Sequence, residues 1–186
     1  YEISSKDQKP KSSIQVWARE LRYKYFQTLQ KKKKIDFIVT AHHLNDQLET
    51  FIINLSKASG LKGLSGIPIK ENKILRPFLD FTKEEIYAYA EENNIEFREY
   101  LSNQKNDYLR NRIRNEITPK LLETNENFLE NFRKSLDFLH QSKNFIVEKI
   151  VETEEKLTIF NPEHKILSKK KLAQEKGISS EFIETI

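Results

Sequence analysis

Apolar residues along the chain follow two periods, and their alternation predicts its elements. Ile14, Trp17, Leu21 and Tyr25 recur at the spacing of one helix face, with Ser12 or Ser13 as the cap and Lys31-Lys32-Lys33-Lys34 as a cationic last turn. Residues 1–11 are polar and are expected to form a loop. Ile35-Asp36-Phe37-Ile38-Val39-Thr40 is a short β-rich run and predicts a buried strand. A helix is expected from near His43 to Lys57, with Leu44, Leu48, Phe51 and Leu55 on the face that packs on the sheet.

Residues 59–68 hold three of the four glycines and predict a loop, followed by an extended piece at Lys73–Pro77. Thr82 with Glu85 makes a capping box for a helix carrying Ile86, Tyr89 and Ala90 and ending at Asn93-Asn94. A polar loop runs through Ser102-Asn103 to Asp107, and a basic helical segment runs from Tyr108 to about Pro119. From Leu121 the pattern Phe128, Phe132, Leu136, Leu139 predicts a long helix to about Ile150. The run Leu157–Phe160 is β-like, and residues 151–186 are expected to begin a second domain. Helix–strand–helix order with tight connections implies an α/β layer fold with a parallel sheet.

Composition narrows the chemistry. Without cysteine, disulfide scaffolds, zinc-thiolate sites and thiol nucleophiles are excluded, while Mg²⁺ held by carboxylates and phosphates remains open. No apolar run approaches the roughly 20 residues of a membrane span, no targeting pattern opens the chain, and a cytoplasmic protein is expected. There is no methionine, even at position 1, which leads to the expectation of a piece of a longer chain. The formal net charge of +4 is too modest to mark a nucleic-acid binder unless the charge is clustered.

Candidate chemistry concentrates in two stretches. In Thr40-Ala41-His42-His43-Leu44-Asn45-Asp46-Gln47-Leu48-Glu49-Thr50, helical geometry puts Asp46, Glu49 and Thr50 on one face, and the two histidines lie at the strand's carboxyl end. Ligands of open α/β sheets bind there, beside a helix N-terminus that favours phosphate. The same residues also suit polar caps and a solvated helix face. In the basic segment Arg110 and Arg114 are helical neighbours while Arg112 points away, so the three guanidiniums suit either phosphates or ion pairs with Glu116 or Asp107.

Taken in order, these motifs resemble the tRNA(Ile)-lysidine synthetases, of the ATP-pyrophosphatase (PP-loop) class. The resemblance rests on Trp17-Ala18-Arg19-Glu20-Leu21-Arg22-Tyr23, the His42–Thr50 cluster, the glycine loop, Arg76-Pro77, Ser102-Asn103, and Tyr108 with Arg110-Asn111-Arg112-Ile113-Arg114, covering about residues 14–120. It implies a Rossmann-like catalytic domain (1–120 here), a helical linker (121–150) and the start of a tRNA-binding domain (151–186). It implies an enzyme that uses ATP to activate C2 of the wobble cytidine of an isoleucine tRNA. L-Lysine then displaces AMP to give lysidine. ATP, Mg²⁺, isoleucine tRNA and L-lysine are the implied ligands, and a homodimer is left open.

Mapped residue by residue, the resemblance makes His42, His43 and Asp46 catalytic, Asp46 also a Mg²⁺ ligand, and Glu49 and Thr50 their supports. It makes Gly60, Gly63, Arg76 and Asn103 nucleotide- or substrate-binding, and Arg110, Arg112 and Arg114 ligands of tRNA or phosphate. The family's Ser-Gly-Gly-x-Asp-Ser loop does not occur in the 186 residues and is expected upstream of Tyr1. Lys57-Ala58-Ser59-Gly60 replaces Arg-Gly-Ser-Gly, so Ala58 must adopt angles suited to glycine. Glu99-Tyr100-Leu101 stands where an acidic residue nearer Ser-Asn is expected. A tRNA-binding protein on the same scaffold, without catalysis, is the rival reading.

Overall fold

The computed structural model describes residues 14–97, 108–160 and 165–167. Helix α1 (Ile14–Lys33) leads into strand β1 (Ile38–Val39) and helix α2 (Leu44–Leu55). The glycine stretch, expected as loop, contains a single helical turn, α3 (Leu61–Leu64). Then come β2 (Lys70–Glu71), β3 (Ile74–Leu75) and α4 (Lys83–Glu92), whose Thr82–Glu85 capping box forms as the sequence predicts. The caps at Ser12 or Ser13, the loop at 1–11 and Asn103 lie outside the described residues.

β1 pairs in parallel with β3, with Ile38 opposite Ile74, as an α/β layer requires. The sheet is nevertheless mixed, because β2 runs antiparallel to β3 in the order β1-β3-β2. Asn72 (φ 48°) and Lys73 (φ 62°) make the tight turn between β2 and β3, too short for a parallel crossover. β1 is also less buried than the run 35–40 suggested: Phe37 and Val39 are exposed, on the edge strand of the sheet. Ala58 takes φ 54°, the left-handed value that the Ala-for-Gly position demanded.

The basic segment does not end at Pro119. α5 (Leu109–Arg112) runs into a π-helical turn (Ile113–Ile117) and then α6 (Thr118–Leu122). Pro119 sits in the first turn of α6, directly after the π-helical turn, and in a regular helix its ring would crowd the carbonyl four residues back. The widened turn before it is the local response. The expected continuous helix from Leu121 is likewise broken: α7 begins only at Phe128 and runs to Leu157. A hairpin of β4 (Thr158–Phe160) and β5 (Lys165–Leu167) follows.

The core lies between α2 and α7 rather than between α2 and the sheet, which corrects the expectation for the α2 apolar face. Leu44 and Leu48 close with Phe132 and Leu136, and Phe51 meets Phe132 edge-to-face at 5.5 Å. Burying each of these side chains contributes roughly 1.5–3 kcal/mol. Leu55, the last residue of that stripe, extends past α7 and is exposed.

Two further faces of α2 are engaged. Asn45 Oδ1 accepts from the Lys83 backbone at 2.8 Å, tying α2 to the start of α4. Gln47, buried, donates to the Ile67 carbonyl at 2.9 Å and accepts from the Ile67 N–H at 2.6 Å. This clamp holds the glycine stretch, and His140 of α7 bonds the Ser65 carbonyl from the other side.

Candidate active site

The site begins where β1 ends. His43, extended at φ −131°, is the N-cap residue of α2, and its backbone N–H donates to Asp46 Oδ2 at 3.1 Å. Asp46 thus satisfies one of the orphan donors of the helix start while its charge complements the helix dipole. The His43 Nε2 lies 3.5 Å from the same oxygen. One residue earlier, His42 Nδ1 is 2.9 Å from Thr40 Oγ1.

Asp46, Glu49 and Thr50 share one face of α2, as their spacing predicted, but that face is not solvated. Glu49 is 1% exposed and takes a guanidinium on each oxygen: Arg110 Nε at 2.6 Å on Oε2 and Arg114 Nε at 2.6 Å on Oε1. The Nη2 atoms of both arginines reach Asp46 Oδ1, at 3.3 and 3.4 Å. Arg110 Nη2 also donates to the Asp46 carbonyl at 3.3 Å and to Thr50 Oγ1 at 3.4 Å. Two carboxylates and two guanidiniums thereby neutralise one another, while Asp107 lies outside the described residues. The third arginine of the motif, Arg112, points away and is exposed.

Electrostatics separates the members. Burial lowers the pKa of His42 below its ordinary value; Asp46 opposes this, while Arg76, Arg19 and Arg110 add to it. The imidazole is therefore neutral near pH 7. Burial also opposes the charge of Arg114, but the Glu49 hydrogen bond and the nearby Glu49 and Asp46 charges outweigh it and raise its pKa.

A cavity of about 330 Å³ opens beside this network, lined by Arg19, Arg22, Tyr23, Phe26, Thr40, Ala41, His42 and Asp46. It sits at the carboxyl end of β1 against the start of α2, where an α/β sheet receives its ligand. Four of its residues come from α1. Arg19, Arg22, Tyr23 and Phe26 recur at helical spacing, and Arg19 stacks on Tyr23 at 4.7 Å and bonds its hydroxyl at 3.1 Å. The resemblance rests in part on this stretch but assigns its residues no role. The i, i+3, i+4 recurrence of Arg-x-x-Arg-Tyr was the available signal.

The other sequence candidates lie apart from this network. Arg76 is 3% exposed, with Nη1 donating to the Pro68 carbonyl at 2.7 Å, so it acts on His42 through its charge. Gly60 is open to solvent, and Gly63 packs against Ser59. Among the described residues no three His, Asp or Glu groups gather to hold a metal. The described residues alone supply no complete Mg²⁺ ligand set around Asp46. No described helix is long and apolar enough to cross a membrane.

Comparison with known proteins places this geometry in a family. A model of the PP-loop domain matches residues 1–121. The tRNA(Ile)-lysidine synthase of Porphyromonas gingivalis is 42% identical over 119 residues, covering 63% of this chain and 26% of that protein. That of Bacillus subtilis is 37% identical over 136 residues, covering 71% and 29%. That of Francisella philomiragia is 34% identical over 184 residues, covering 96% and 45%. The chain thus spans between a quarter and less than half the length of these relatives. By the match over residues 1–121, this chain belongs to the PP-loop domain family, whose fold is a Rossmann-like α/β layer.

Proposed function

We propose that the chain supplies part of the active site of a tRNA(Ile)-lysidine synthetase. The observation that carries the reading is the cavity at the end of β1, where a neutral imidazole, a carboxylate and two guanidiniums face one space. In the proposed reaction O2 of the wobble cytidine attacks the α-phosphorus of ATP and pyrophosphate leaves. The ε-amino nitrogen of L-lysine then attacks C2 and expels AMP.

Each residue has a place in that sequence. Arg19 and Arg22 meet the anionic groups, phosphate or carboxylate, and the start of α2 adds its dipole. Asp46 holds an ammonium group of lysine. In the tautomer whose Nδ1–H donates to Thr40 Oγ1, His42 keeps a lone pair on Nε2 and takes the proton that the attacking amine releases. His43 steadies Asp46. Glu49 and Thr50 act through the arginines, positioning Arg110 and Arg114 beside Asp46. Arg112, exposed beside them, takes a tRNA phosphate. Gly60, Gly63 and Asn103 complete the proposed substrate-facing set, and Arg76, itself buried, acts through its charge on His42. Any Mg²⁺ enters with the ATP phosphates rather than as a bound ion of these residues.

The test is Asp46→Asn in the full-length protein, followed by pyrophosphate release with a CAU-anticodon transcript. The variant should fold, since asparagine can still accept the His43 N–H, and release should be lost. Wild-type release would end the assignment. A second arm is Arg112→Ala, which should lower the slope of log K for tRNA against log salt by about one unit.

A further inference from the structure

The end of the domain opposite the cavity carries a concentrated positive charge. Lys31, Lys32 and Lys33 close α1, and Lys34 follows them in the left-handed region at φ 54°. The turn between β2 and β3 is bonded to this end: the Lys73 carbonyl accepts from the Ile38 N–H at 2.9 Å and from Gln30 Nε2 at 3.4 Å. Lys70 and Lys73 are thereby brought beside the lysine run, with the Lys70 ammonium 5.0 Å from the Phe37 ring centre.

All six lysines are exposed, and among the described residues none has an ion pair. Asp36 and Glu71 are the only carboxylates on the same segments, leaving an excess of four charges, as large as the formal excess of the whole chain. The α1 dipole accounts for cations at its last turn. It does not account for Lys70 and Lys73, which arrive from another element.

We propose that Lys31, Lys32, Lys33, Lys34, Lys70 and Lys73 form a contact surface for the phosphate backbone of an RNA stem whose loop base enters the cavity at His42. The inference rests on the function proposed above. α1 carries Arg22 at the cavity and Lys32 ten residues on, about 15 Å along its axis. A stem covers that distance within about half a turn. Long lysine side chains on a hairpin and a helix end tolerate any base sequence, as backbone contact requires.

The experiment measures the affinity of the chain for a CAU-anticodon tRNA transcript across a salt series. Lys31→Gln, Lys32→Gln, Lys33→Gln and Lys34→Gln are combined in one variant, and Lys70→Gln with Lys73→Gln in a second. The first should lower the salt slope by about two to three units and weaken binding at least tenfold near 0.1 M salt. The second should lower the slope by about one to two units. The same four positions changed to arginine should bind as wild type. Unchanged slopes on a wild type that binds tRNA would overturn the surface alone. A wild type without salt-dependent tRNA affinity would overturn both it and the proposed function. Retained tRNA binding with lost binding to phosphatidylserine vesicles would replace RNA by a membrane surface.

Discussion

Arg110 Nε lies 2.6 Å from Glu49 Oε2, and Glu49 is 1% exposed. That contact, repeated by Arg114 on the other carboxylate oxygen, fastens the basic segment to α2 across more than sixty residues of sequence. Two guanidiniums beside Asp46 thereby acquire fixed positions without losing all access to solvent.

Glu49→Gln should therefore be costly. It leaves two partly buried guanidiniums with Asp46 as their one carboxylate, and about 2–4 kcal/mol of stability should be lost. Arg112→Ala, at an exposed position between Arg110 and Arg114, should stay within about 0.5 kcal/mol. Urea midpoints compare the two at unchanged m-value. Equal effects would show that the buried network does not hold the segment.

The lowered pKa of His42 makes a signed prediction. The unfolded chain takes up a proton near the ordinary value of 6.5, and the folded chain does so only at lower pH. Between those two values the unfolded state binds more protons, so stability rises with pH there. The contribution is complete above about pH 6.5 and is lost as pH falls toward the folded value. Unfolding free energies measured from pH 5 to 8 should show this slope, and His42→Gln should flatten it.

Two glycines of one stretch should respond in opposite ways. Gly66 has φ 75°, and a Cβ there would collide with the Gln47 side chain that clamps Ile67. Gly66→Ala should cost about 2–4 kcal/mol, from the left-handed backbone and the disturbed hydrogen bonds. Gly60 has φ −72° with open space around it, so Gly60→Ala should be neutral or stabilise by up to about 1 kcal/mol. Thermal unfolding of the two variants checks the contrast.

That pair also shows what could be read from sequence and what could not. Glycine count located the stretch, but which glycine needs its freedom depends on Gln47, nineteen positions away, and no local pattern records that. The shared face of Asp46, Glu49 and Thr50 follows from helical spacing alone. Its partners do not, because Arg110 and Arg114 match nearby acids equally well until the chain is folded. The capping box at Thr82 was legible since it involves only four consecutive residues. The antiparallel β2 was not, being two charged residues, Lys70 and Glu71, with no apolar alternation of their own. Pro119 misled for a related reason: its meaning depends on whether a helix is ending or beginning around it.

Helix α7 has a mechanical consequence. Its thirty residues extend about 45 Å, yet the core grips only the part from Phe128 to near His140. The remaining length is a ruler graduated in steps of about 1.5 Å and 100°. Shortening it by seven residues would bring the β4–β5 hairpin about 10 Å closer and rotate it by only about 20°. Shortening it by two would barely change the reach but would swing the hairpin most of the way to the opposite side. For whatever the hairpin meets, heading is set by residue number more sharply than distance is.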